Sequence, residues 1–189
     1  AEAGAIRLVM ALRRGGISDT TILSAVERTP REAFVPAAEA ERAWDDAPLD
    51  LGNGAVLIRP FVAAFLIKAL EVGERHRVLQ LPTGTGYQAT LLSRLCRWVY
   101  TREPDRVVRR AAEKRFRSLG VRNVVAHAGE AEGGWPEQAP FDRILLSTGF
   151  DDAPAALLEQ LQPDGVLVVP LGPDPLVRSV TRITRTGGG

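Results

Sequence analysis

The residues best suited to chemistry lie in one run, VLQLPTGTGY at positions 78 to 87, where an apolar segment breaks into a glycine turn and a helical pattern, QATLLSRLC, follows at once. Gly84 and Gly86 can take backbone angles that other residues avoid, and they let a ligand approach the main chain. A helix that starts there offers unpaired N–H groups and the positive end of its dipole, which suits an anionic or strongly polar group. Gly84-x-Gly86-x-x-Ala89 also fits the dinucleotide fingerprint, and an acid, Glu103, follows the next apolar run, RWVYT. Glycines and acid together indicate a nucleoside-containing cofactor and leave open which one.

A turn of this kind needs a sheet to hold it. RVLQL, RWVYT, NVVAHA, FDRILLS and GVLVVPLG are short apolar runs suited to strands buried on both faces. Between them QATLLSRLC, DRVVRRAAEKRFRSLG and APAALLEQLQ read as helices, so residues 73–189 form a doubly wound, mostly parallel α/β sheet. SVTRITRT alternates and predicts a sixth strand, antiparallel at an edge. Residues 1–72 are mainly helical. AIRLVMALRRGG places Ile6 and Met10 on successive turns with Gly15 and Gly16 as a stop, Ser18 or Asp19 caps DTTILSAVERTP, and FVAAFLIKALEVGE is a strong apolar helix. The run from Arg31 to Pro60 has no sustained period and reads as loop with a short helix.

Composition narrows the classes. A chain of 189 residues suits one domain with a sizeable core. Its net charge is +1 with acids and bases interspersed, so no pull toward nucleic acid or membrane is evident. The basic stretch Arg106, Arg109, Arg110, Lys114, Arg115 and Arg117 lacks an aromatic platform and reads as a solvated helix face. The chain has one cysteine and two histidines, so no internal disulfide forms, and no metal-ligand spacing occurs. Cys96, on the apolar side of its helix, reads as a small buried hydrophobe. With no secretory segment and no apolar run of about 18 residues, a cytoplasmic protein is expected.

Six segments, in order and spacing, resemble the protein-L-isoaspartate O-methyltransferase family: GISDTTILSAVERTPREAFVP, DLGNGAVLIRP, VLQLPTGTGYQA, VYTRE, GWPEQAPFDRI and GVLVVPLG. The resemblance implies a Rossmann-like fold that uses S-adenosylmethionine to methylate the free carboxylate of isoaspartyl residues in damaged proteins or peptides, the first step of their repair. By position, Thr83, Gly84, Thr85, Gly86 and Tyr87 would wrap the methionine part of the cofactor. Gln80, where the family's first motif has an acid, would join them in binding the cofactor, Glu103 would hold the ribose hydroxyls, and Gly129 and Glu130 would lie beside the adenine. Asn53, Ile58 and Arg59 fall on the family's substrate loop. After FDRILLS comes Ser147-Thr148-Gly149-Phe150 rather than the Asn/Asp-Pro-Pro-aromatic signature of amino-group methyltransferases acting on nucleic-acid bases.

The implied reaction needs no acid or base. A carboxylate with a pKa near ~4 is already ionised at pH 7, so alignment with the sulfonium methyl and exclusion of water suffice. No catalytic residue is named on that account. The chain departs from the family at Gln80 and Pro82, where an acid and a glycine are usual, at Ile58, where the substrate loop has serine, and at Glu130-Ala131, where Asp-Gly is usual. These departures predict weak turnover, with Arg59 taking over the acceptor carboxylate as a forked, charged donor. A relative that kept the fold and lost methyl transfer is the second reading, and an NAD-binding oxidoreductase the third. The family's sheet ends with a seventh strand that pairs with the sixth. Residues from about 176 onward are therefore expected to be the least regular part of the α/β region, or to pair with another chain.

Overall fold

The computed structural model describes residues 2–52 and 55–187 of the chain. Helices α1 (Glu2–Arg14) and α2 (Thr20–Glu27) lead into three short 3-10 helices between Arg31 and Trp44. A hairpin of β1 (Leu49–Asp50) and β2 (Val56–Leu57) then precedes α3 (Pro60–Leu70). The α/β region follows: β3 (Arg77–Leu81), α4 (Tyr87–Ser93), β4 (Trp98–Arg102), α5 (Arg106–Ser118), β5 (Val124–His127), β6 (Phe141–Leu146), α6 (Ala155–Leu158), β7 (Leu161–Leu171) and β8 (Ser179–Thr184).

The sheet order is β5-β4-β3-β6-β7-β8, parallel except for β8. The chain runs outward from β3 to β5 and crosses back to β6 on the other side of β3. This puts the topological switch point at the C-terminal ends of the central strands. Strand alternation sorts the apolar residues into two cores. Val78, Val99, Leu145 and Val168 face one, while Leu79, Leu81, Ile144 and Leu167 face the other. The first core also takes in Leu8 and Leu12 of α1, Val26 of α2, Leu57 of β2 and Leu70 of α3.

Several expectations are corrected. The buried stripe of α1 is Ala5, Leu8 and Leu12, while Ile6 and Met10 are 48% and 54% exposed. Gly4 shares the inward face, where Trp44 packs close against it. The hairpin β1–β2 falls in the stretch read as loop, because strands of two residues carry no detectable period. Helix α6 is only four residues long, since β7 begins already at Leu161. The pairing of β7 with β6 shifts between Phe141 and Arg143, and Asp164 takes a positive φ of 62° in that irregular stretch. Nor is the C-terminal region irregular. Six successive residues of β8 pair antiparallel with β7, from Val166↔Thr184 to Leu171↔Ser179. The eleven-residue β7 offers an edge long enough for the whole of SVTRIT. Its alternating pattern suits a strand with one solvated face.

Candidate active site

The turn after β3 closes through donors that Pro82 does not have to supply. Thr83 donates its N–H to the Arg102 carbonyl at 3.0 Å, and Gly86 donates to the Thr83 carbonyl at 3.0 Å. Gly84 has φ 54°, and a Cβ added there would meet nothing within 4 Å, so this residue leaves its backbone open to a ligand. Gly86 is required for a different reason. Its φ is 86°, and a Cβ would come within 2.8 Å of the Phe116 ring on α5. The second glycine of the fingerprint is therefore a packing residue, and it caps α4 without a side-chain hydrogen bond.

The substitutions in the first motif form a closed polar network. Gln80, almost fully buried, donates from Nε2 to the Pro82 carbonyl at 2.7 Å, and its Oε1 accepts from the Thr101 hydroxyl at 3.1 Å. Thr101 and Thr83 share a hydroxyl–hydroxyl bond of 2.8 Å. A carboxylate at position 80 has no proton for the Pro82 carbonyl, so glutamine is the residue this turn accepts. Glu103, just past β4, is buried and oriented by two backbone donors, Gly84 N–H at 3.0 Å and Asp105 N–H at 3.2 Å. Asp105 then caps α5, accepting from Val107 and Val108.

These groups border a cavity of about 1110 Å³. Gln80, Thr83, Gly84, Thr85, Tyr87 and Glu103 line it on the sheet side. Val107, Val108 and Ala111 continue the wall along α5 and give it an apolar shelf next to the acid. The opposite wall is almost wholly apolar, with Val35, Pro36, Pro48, Leu51, Val56 and Ile58 along it. Tyr87 buries its ring against Phe34, 5.2 Å centroid to centroid, and burial pushes its phenol up, opposed by the charge of Arg31. Gly129 and Glu130 do not border this cavity. They follow β5 beside Arg102, whose guanidinium lies where a Cβ on Gly129 would be and donates to the Ala128 and Gly134 carbonyls.

On the hairpin side, Asn53 lies outside the described residues. Ile58 lines the cavity and offers only its main chain to hydrogen bonding. Arg59 lines it too, but its guanidinium is paired with Asp46, with Nη2 to Oδ2 at 2.8 Å and Nε to Oδ2 at 3.1 Å. The other oxygen of Asp46 takes the Phe61 N–H at 2.8 Å, so one carboxylate ties this arginine to the start of α3.

Sequence reasoning passed over three residues of this neighbourhood. Arg115, assigned to a solvated face, reaches from α5 to the carbonyls of Ala33 (3.1 Å) and Thr85 (3.2 Å), bracing the glycine turn. Arg31 is fully buried, donates to the carbonyls of Ala43 and Ile58, and lies over the Tyr87 ring at 4.6 Å. Gln88, next to Tyr87 on α4, also borders the cavity. None carries a local signal, because each contact crosses elements far apart in the chain. Elsewhere, Cys96 is buried and its thiol is pushed up to about 12 by desolvation. Among the described residues there is no cluster of three or more His, Cys, Asp or Glu that could hold a metal, and no helix long and apolar enough to cross a membrane.

The donor set suits a nucleoside sulfonium. An oriented carboxylate stands beside an unobstructed glycine backbone, with an apolar shelf for a flat base. Comparison with known proteins points the same way. A family model described as protein-L-isoaspartate(D-aspartate) O-methyltransferase matches residues 4–188. The protein-L-isoaspartate O-methyltransferase of Caulobacter sp. strain K31 is 45% identical over 188 residues, covering 100% of this chain and 86% of the relative. That of Rhodospirillum centenum is 45% identical over 185 residues, covering 97% of this chain and 84% of the relative. Among solved structures, a protein-L-isoaspartate O-methyltransferase superposes with a TM-score of 0.87 at 26% identity, covering 97% of this chain and 60% of that one. A Plasmodium falciparum beta-aspartate methyltransferase in complex with S-adenosyl-L-homocysteine superposes with a TM-score of 0.80, covering 95% of this chain and 88% of that one. At 17% identity the last comparison speaks for the fold alone.

Proposed function

This chain belongs to the protein-L-isoaspartate O-methyltransferase family, and on that premise we propose that the cavity between the glycine turn and the β1–β2 hairpin is where an isoaspartyl carboxylate is methylated from S-adenosylmethionine. The observation that carries the proposal is the pairing of Gly84, open at its α-carbon, with the oriented Glu103 carboxylate across the ends of β3 and β4. In this reading Glu103 accepts from the ribose hydroxyls, and the segment from Thr83 to Tyr87, braced by Gln80 and Arg115, follows the methionine part. The adenine lies on the apolar shelf of Val107, Val108 and Ala111, with Gly129 and Glu130 farther out beyond β5, outside the cavity. The cofactor supplies an electrophilic methyl group, and the protein supplies geometry.

The acceptor carboxylate arrives ionised at neutral pH, so no residue has to remove a proton. Ile58 and Arg59 belong to the wall past which it enters. The apolar residues there exclude water, which strengthens every polar contact in the cavity. Because Ile58 carries no hydroxyl and Arg59 is held by Asp46, turnover is expected to be slow relative to a site with serine at that position. An isoaspartyl peptide, or a protein bearing the same linkage, is the partner this reading requires.

The test is transfer of a labelled methyl group from S-adenosylmethionine to an isoaspartyl peptide, run beside the same peptide with a normal aspartyl linkage. A base-labile methyl ester on the isoaspartyl peptide alone supports the reading. Labelling of neither peptide, with S-adenosyl-L-homocysteine still bound in a titration, favours a relative that kept the cofactor site and lost the reaction.

A further inference from the structure

We propose that the side-chain amide of Gln88 holds the acceptor carboxylate, in the role left open by the apolar side chain of Ile58; this rests on the methyltransferase reading above. Polar side chains bordering the cavity are nearly all engaged with the protein itself. Gln80 is bonded to Pro82 and Thr101, Thr83 to Thr101, and Glu103 to the backbone of Gly84 and Asp105. Arg115 is bonded to Ala33 and Thr85, and Arg59 to Asp46. Among the described residues the exceptions are Thr148, Tyr87, whose buried hydroxyl lacks a partner and whose ring lies under the Arg31 guanidinium, and Gln88. Of these only Gln88 carries an amide: it is 5% exposed, it borders the cavity, and its Nε2 is buried without a hydrogen-bond partner. Its Oε1 makes no hydrogen bond among the described residues either.

An amide buried in this way is unfavourable unless something else satisfies it. The two ends of an amide exchange places by a half-turn of the terminal torsion, so the NH2 group can face the cavity. There it can donate to an anion, and the acceptor is the anion that must enter. Gln88 also sits on the first turn of α4, immediately after the segment that follows the methionine part of the cofactor. A carboxylate bonded to it is therefore close to the methyl group it attacks. The neutral amide keeps the carboxylate nucleophilic, where a fixed positive charge would hold its electrons more tightly.

Two variants test this, Gln88→Leu, which keeps the volume and removes the donor, and Gln88→Glu, which sets a negative charge against the acceptor. Each is titrated with S-adenosyl-L-homocysteine, then with isoaspartyl peptide in its presence, so that no turnover intervenes, and methyl transfer by the wild type and both variants is measured separately. The expected result is unchanged S-adenosyl-L-homocysteine affinity, which also shows that the fold is intact. Peptide affinity falls about ten- to a hundredfold in Gln88→Leu, the range for losing a hydrogen bond to a charged group, and further in Gln88→Glu. Weakened binding of S-adenosyl-L-homocysteine in Gln88→Leu overturns the proposal by assigning the amide to the cofactor. Wild-type peptide affinity in both variants overturns it as well. If the wild type turns over and the variants match it, only this inference fails; if the wild type binds no isoaspartyl peptide, the substrate reading fails with it.

Discussion

Gly84 donates its backbone N–H to the Glu103 carboxylate at 3.0 Å, so the glycine turn and the end of β4 are joined before any ligand is considered. The acid is fixed by the same loop that would carry the methionine part of the cofactor. Replacing Glu103 by Ala removes the support of the turn and, in the proposed reading, a contact to the cofactor. S-adenosyl-L-homocysteine binding should weaken by about 1 to 3 kcal/mol, measured by calorimetric titration. Unchanged affinity would take Glu103 out of the site.

A second prediction concerns the acceptor wall. Ile58→Ser restores a hydroxyl where the cavity is lined by Val56, Pro48 and Leu51. The side chain packs against the edge of the core and is only partly buried, so the fold should survive. Methyl transfer to an isoaspartyl peptide should rise in this variant. No gain would mean that the missing hydroxyl does not limit the reaction.

Arg31 carries a buried charge with no carboxylate bonded to it, and the carbonyls of Ala43 and Ile58 are its hydrogen-bond partners. Arg31→Met keeps much of the volume and leaves both carbonyls unpaired. The urea midpoint should drop by an amount equivalent to about 1 to 3 kcal/mol, and KM for the peptide should rise because the Ile58 main chain is released. A variant as stable as the wild type would show that water replaces the guanidinium without penalty.

The thiol of Cys96 gives a pH prediction with a definite sign. Burial pushes its pKa up to about 12 from the 9.0 of a solvated thiol. Below the unfolded value both states keep the proton and the group is neutral to stability. Above it the unfolded chain releases the proton while the native state holds it, so stability falls as pH rises from about 9 toward about 12. In the native protein at pH 8 the thiol should resist a disulfide-exchange reagent, and it should react once urea unfolds the chain. Rapid labelling of the native state would contradict the burial.

The strands were legible because both faces of the sheet are covered, and each central strand therefore reads as an apolar run. The cap of α2 was legible to within one residue, Ser18 or Asp19, because the Asp19 side chain accepts from the N–H groups of Thr21 and Ile22, partners two and three residues on. Arg115 was not. Its partners lie 30 and 82 residues away, so only the packed chain turns a basic helix face into a brace for the glycine turn. Gly86 was read for a ligand and is claimed by Phe116, because a glycine pattern does not say which side of the backbone needs the space. Gln80 and Pro82 each depart from the family's first motif, yet they form a bonded pair, a relation that neither position carries alone.

The acceptor hairpin, the first three helices and one face of the sheet share one apolar cluster, in which Leu12, Leu57, Tyr87, Val99 and Phe116 are members of the same core. Heating should therefore produce one calorimetric transition, with calorimetric and van't Hoff enthalpies equal. Two resolved transitions would refute this. If the hairpin melts only with the turn, no partly folded form retains the methyl donor while refusing the acceptor. Wear then withdraws whole molecules from service and leaves behind no idle population that sequesters S-adenosylmethionine.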